Sequence, residues 1–171
     1  MGDAELNHCF AQLRQGDLSA FEALYREMST PVYTILLRIT GDRWLAEDLL
    51  QEFFVRLHQS PPENPRKPRA YLFQSARNLA IDALRRQETR ASEKLASQAE
   101  QPLERHLLRM DLAAAMNRLD LQERQIVVLH LNGGLKFREV ARILDQPLGT
   151  VYSRYRKAIG KLRVLLDGGS L

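Results

Sequence analysis

Apolar residues return along this chain at helical spacing, in blocks separated by Gly, Pro and Asp. Leu6, Phe10 and Leu13 open the series, and Gly16 supplies a C-terminal stop. Asp17 is placed to cap a second helix whose Phe21, Leu24, Tyr25 and Met28 share one face. Thr30-Pro31 predicts a kink or restart there, after which Val32, Ile35, Leu36 and Ile39 continue the stripe. Gly41 closes that helix and Asp42 opens the next, Arg43 to Gln59, in which Leu45, Leu49, Phe53 and Leu57 recur every four residues. Pro61, Pro62, Pro65 and Pro68 then predict an extended loop, because proline lacks an amide donor and disfavours helix at the residue before it. Helical spacing resumes from Arg69 to Glu88 through Leu72, Ala76, Leu79 and Leu84.

Residues 89–103 hold few large apolar groups, too few to offset the entropy of ordering them, and predict a flexible linker. From its last residue onward, Leu103, Leu107, Leu108, Leu112, Met116 and Leu119 return at helical spacing. Asp120 and Glu123 form a capping box before Ile126, Leu129 and Leu131, and Gly133-Gly134 stops that helix. A short helix, Lys136 to Leu144, turns through Asp145-Gln146-Pro147 into a last one starting at Gly149 or Thr150. Val151, Tyr155, Ala158, Leu162 and Leu165 form its inward stripe. The pattern predicts an all-α chain of two small helical domains, 1–88 and 104–171, joined by the linker.

Composition agrees with helix, since Leu, Ala, Arg, Glu and Gln dominate and only nine Gly and seven Pro occur in 171 residues. One cysteine, Cys9, offers no disulfide, and neither an export signal nor a run of apolar residues long enough to span a bilayer is present, which points to the cytoplasm. His8, His58, His106 and His130 are scattered, so local spacing builds neither a metal site nor a Cys–His nucleophile. No enzyme, cofactor or small-molecule substrate is called for.

The net charge of +4 is less telling than its distribution. Residues 1–60 sum to −4, 61–90 to +4, 91–125 to −1 and 126–171 to +5. Two basic zones suit phosphate and one acidic stretch suits something else. In the C-terminal zone the short helix, turn and amphipathic helix form a helix-turn-helix, whose outer side carries Tyr152, Ser153, Arg156, Lys157 and Lys161. Ser153, Arg156 and Lys157 have the reach for base edges and phosphates, and Tyr152 suits a sugar or a thymine methyl.

Two segments resemble a known family. The string from Gln122 to Arg163 looks like the region-four domain of extracytoplasmic-function (ECF) RNA polymerase sigma factors, whose Gly-Thr-Val-x-Ser-Arg motif stands here as Gly149, Thr150, Val151, Tyr152, Ser153 and Arg154. AFEALY, AEDLLQEFFVRL and PRAYLFQSARNLAIDALRR look like region two of the same family. The resemblance implies a bacterial alternative sigma factor that binds core RNA polymerase, recognises the −10 and −35 promoter elements and initiates transcription. It assigns Thr150, Tyr152, Ser153, Arg154, Arg156 and Lys157 to the −35 element. Tyr71, Phe73 and Asn78, with Arg77, Arg85 and Arg86 on phosphates, fall to the −10 element, although Tyr71 and Phe73 suit core packing equally well. Glu47, Asp48, Gln51 and Glu52 would face the polymerase. The family also implies an anti-sigma factor, often membrane-bound, and a sigma factor free of partners should be monomeric. Three residues depart from the family pattern: Tyr152 replaces a common basic residue, Tyr155 an aliphatic one, and Gly160 sits inside the helix at about 1 kcal/mol relative to Ala. A dimeric helix-turn-helix regulator is the competing reading.

Overall fold

Local chemistry sets the helix boundaries of the computed structural model, which describes residues 1–94 and 112–167. Helix α1 spans Asp3–Arg14, and Asp17 accepts the Ser19 N–H to start α2, Leu18–Thr40. Gly41 ends α2 in the left-handed conformation (φ 69°), where a side chain would be strained. Asp42 then caps α3, Arg43–Gln59, by accepting the Leu45 N–H. Helix α4 covers Pro68–Lys94, running through the first six residues expected to form the linker. The rest of that segment, and the expected helical positions Leu103, Leu107 and Leu108, lie outside the described residues.

The second helical group begins with α5, Leu112–Asn117, and α6, Leu121–Val127. The Asp120–Glu123 capping box forms in both directions, at 2.8 and 3.3 Å. Val128–Asn132 continues α6 as a wider π turn before the chain breaks at Gly133 and Gly134, a local widening the spacing does not signal. Helix α7 is Phe137–Leu144, and Asp145 turns the chain in the left-handed conformation (φ 51°) that Asp tolerates better than most residues. Helix α8, Leu148–Leu166, starts directly after Pro147, slightly earlier than expected.

The described residues adopt the all-α, two-part architecture expected from the periodicity. Of the kink or restart expected at Thr30-Pro31, the restart does not occur: α2 runs through Pro31 as one helix. Burial of Leu24, Met28, Val32, Ile35, Leu36 and Ile39 along its whole length outweighs the lost backbone bond, since each such side chain contributes roughly 1.5–3 kcal/mol. Helix α2 is the hub. It packs on α1, α3 and α4 and also against α5, α6 and the π turn, so the buried apolar residues of both groups join in one cluster. Polar contacts tie the groups as well. Arg124 donates to the Ile39 carbonyl at the end of α2 over 3.2 Å, and Lys67 lies 3.9 Å from Glu139.

Candidate nucleic-acid interface

Helix α8 is anchored by one stripe and open on the other. Val151, Ala158 and Leu162 are buried, whereas Tyr152, Ser153, Arg156 and Lys157 are exposed. Gly149 and Gly160 share the open side, where an added Cβ would meet nothing within 4 Å, so no bulk screens Ser153 and Arg156 from an approaching surface. Thr150 is half-buried in the first turn.

The remaining expected residues of this helix have partners inside the protein. Arg154 donates to Gln146 of the turn over 3.1 Å, tying α8 to the loop that precedes it. Tyr155 is half-buried in an aromatic cluster, with ring centroids 5.1 Å from His130 and 4.9 Å from Phe137. Its place in that cluster explains the aromatic residue at a position expected to be aliphatic. Glu123, almost wholly buried, holds Lys161 at 2.6 Å and Lys157 at 3.6 Å, so one carboxylate fixes where both ammonium groups stand. Nothing in helical periodicity marks Glu123 as more than a capping residue. The 38-residue separation from Lys161 hides the pair from local reading.

The second basic zone divides across α4. Tyr71 and Asn78 are exposed and line a cleft of about 290 Å³ against α3, with Phe53, Arg56, Leu57 and Ser60 on the far wall and Asp82 on its rim. Arg85 and Arg86 are exposed further along. Phe73 and Arg77 instead face the C-terminal helices. Phe73 is 0% exposed, and a Cβ at Gly133 would lie 3.1 Å from its ring and 2.6 Å from the Leu129 carbonyl, so only glycine permits that approach. Arg77 donates through Nε to Gln125 over 2.6 Å and through a terminal nitrogen to Asn78 over 3.0 Å. Its burial, reinforced by the like charge of Arg85, pulls its pKa below the ordinary guanidinium value.

On α3 the four acidic and amide positions differ in freedom. Glu47 accepts from Arg43 over 2.9 Å and Glu52 pairs with Arg56, while Asp48 and Gln51 stand open. Trp44, 76% exposed, and Val55 continue the open line at spacings of four, three and four through Asp48 and Gln51. The expected acidic face is thus an acidic centre between two apolar ends. That spacing was available in the sequence but is overshadowed by the stronger inward stripe of α3.

Among the described residues no group of His, Cys, Asp or Glu is arranged to hold a metal ion, and no helix is long and apolar enough to cross a membrane.

Comparison with known proteins follows this division. Residues 24–90 match the sigma-70 region 2 family and residues 109–162 match sigma-70 region 4. The ECF RNA polymerase sigma factor SigL of Mycobacterium tuberculosis (strain ATCC 25618 / H37Rv) is 31% identical over 161 residues, covering 88% of this chain and 91% of that protein. SigM of Bacillus subtilis (strain 168) is 29% identical over 158 residues, covering 86% and 96%. Two solved structures share the fold at 22% identity. The sigma factor RpoE of Bartonella quintana, in complex with the anti-sigma factor NepR, superposes with a TM-score of 0.67 over 86% of this chain and 96% of that one. CnrH, in complex with the cytosolic domain of CnrY, gives 0.70 over 97% and 99%. With both family regions in the expected order and relatives matched along nearly their full length, the chain belongs to the ECF RNA polymerase sigma factors, which direct transcription initiation.

Proposed function

We propose that the work of promoter recognition is divided among three helices of this sigma factor. Helix α8 enters the major groove of the −35 element, where Ser153 and Arg156 meet base edges and Thr150 and Lys157 meet phosphates. Arg154 supports them by holding the turn. The observation that carries this reading is the open face of α8 around Arg156, set opposite the buried Val151, Ala158 and Leu162. A bidentate arginine discriminates bases by about 1–3 kcal/mol.

Helix α4 meets the −10 element. Tyr71 and Asn78, at the mouth of the cleft against α3, supply an aromatic face and an amide edge, the two groups suited to a base out of its stack. Arg85 and Arg86 meet phosphates, and Arg77 joins them on release from Gln125. Phe73 supports this face from inside. Helix α3 docks on core polymerase through Asp48 and Gln51, flanked by Trp44 and Val55, with Glu47 and Glu52 contributing charge at the margin. Such an arrangement of an aromatic anchor and exposed charges is common at protein interfaces. The chain acts by binding rather than by catalysis, in the cytoplasm where polymerase works, as a monomer until it meets core enzyme. The neighbours RpoE and CnrH were solved with anti-sigma partners, and an anti-sigma factor is proposed for this chain on that likeness.

Single variants assembled with core polymerase test the division. Arg156→Ala is expected to weaken duplex promoter binding by about tenfold or more while leaving assembly with core unchanged. Asn78→Ala should instead spare the closed complex and reduce strand opening, followed by permanganate reactivity of unpaired thymines. If Arg156→Ala impaired assembly with core, or Asn78→Ala reduced both steps equally, the assignment of these helices would be wrong.

A further inference from the structure

The N-terminal end of α8 carries an apolar surface that hydrogen-bonding roles do not explain. Leu148 is 42% exposed and Tyr152 is 52% exposed, one turn apart on the same side of the helix. Beneath them lies Phe137, whose ring meets that of Tyr152 edge-on with centroids 5.5 Å apart. The three side chains line a shallow groove between the starts of α7 and α8, completed by Gly149, Lys136 and Arg138. Its exposed lining is almost wholly apolar, yet two cations stand on its rim.

An apolar surface left in water costs free energy, and the cationic rim favours a polyanion as its occupant. Duplex DNA joins the two properties. Phosphates would meet Lys136 and Arg138, and the major groove displays one apolar group, the C5-methyl of thymine. Leu148 has no hydrogen-bonding capacity, so it cannot report on a base edge in any other way. Edge-on contact with Phe137 restrains the Tyr152 ring, and the open backbone at Gly149 leaves room for a close approach.

We propose that Leu148 and Tyr152, resting on Phe137, form a shelf that selects a thymine methyl in the −35 element. The inference depends on α8 occupying the major groove and adds to that assignment a base preference. An apolar shelf reads the methyl of the base pair, a feature that a hydrogen-bonding cation does not sense.

The test uses holoenzyme, the full chain with core polymerase, on a duplex promoter it transcribes. Each thymine of the −35 element is replaced singly by deoxyuridine, which removes the methyl and keeps every hydrogen-bonding group. One replacement should weaken binding about fourfold, the loss expected for one apolar carbon taken from a contact. Leu148→Ala should abolish the difference between thymine and uracil at that position, Tyr152→Phe should retain it, and Arg156→Ala should weaken both DNAs equally. Unchanged affinity at every deoxyuridine would overturn the shelf while leaving promoter binding by α8 intact. Persistence of the methyl preference in Leu148→Ala would also overturn it. If Leu148→Ala lowered affinity for core polymerase and left the methyl preference in place, the groove would belong to the polymerase and the proposal would fail. Failure of wild-type holoenzyme to bind any promoter duplex would instead remove the functional reading beneath it.

Discussion

Helices α4 and α8 are both basic, yet their cations are in different positions. On α8 Arg156 has an open face, and even Lys157, which leans on Glu123, stays largely exposed. On α4 Arg77 is half-buried against Gln125, and the aromatic ring one turn before it is sealed under the C-terminal helices at Gly133. Only Tyr71, Asn78, Arg85 and Arg86 of that set look outward. Charge along a sequence therefore locates a surface suited to phosphate, but the tertiary partners decide which donors remain available. The basic face of α4 is partly engaged by the protein itself, whereas that of α8 stays open around Arg156.

The contrast between buried and open residues on α4 predicts the largest effect. Phe73→Ala should cost about 3–5 kcal/mol in unfolding free energy, as expected for emptying a wholly buried aromatic site. Tyr71→Ala should cost far less while still impairing strand opening. Denaturant titration of the two variants measures the difference, and equal destabilisation would erase the distinction drawn between them. Gln125→Ala comes next. Removing the acceptor of a charge-assisted hydrogen bond should destabilise by about 1–2 kcal/mol, because half-buried Arg77 can recover part of its solvation. A loss near zero would mean that the Arg77–Gln125 contact does not hold the two groups of helices together.

A smaller effect distinguishes the footing of α6, on which α8 packs. Asp120→Ala should cost about 1 kcal/mol through the lost cap. Burial raises the Asp120 carboxyl, but the Glu123 N–H it accepts and the nearby Lys161 charge outweigh that penalty, leaving its pKa below the ordinary value of 3.8. The unfolded chain thus binds this proton at a higher pH than the folded one. The cap's electrostatic contribution is complete above the ordinary carboxylate range and is lost as pH falls through the lower folded value. Acid unfolding of wild type and Asp120→Asn should converge below that range. A gap that widened on acidification would reverse the sign assigned to Asp120.

Much of this was legible from local chemistry. Asp17, Asp42 and the Asp120–Glu123 box mark helix starts because their carboxylates accept amides within three residues. Asp145 marks the turn because it adopts the left-handed conformation there. The residues of α8 that face outward follow from one amphipathic stripe. Features that depend on distant partners were not legible. Phe73 has the same helical spacing whether it packs inward or stacks on a base, and only Gly133, 60 positions away, decides between them. Arg77 looks like a free cation until Gln125 is brought beside it, and Pro31 looks like a point of restart until the segments before and after it are seen buried as one helix. Trp44 carries no periodic signal because it belongs to the outward line of α3 rather than the stripe that builds the core.

Promoter-directed transcription by a reconstituted holoenzyme tests the central claim most directly. Core polymerase would be supplied with this chain and a library of genomic promoter fragments, and run-off transcripts would be mapped to their start sites. The account predicts defined starts that appear only when the chain is added, share −10 and −35 elements, and fade with Arg156→Ala. A chain that dimerised, bound a palindromic duplex without polymerase and produced no defined transcript would contradict it.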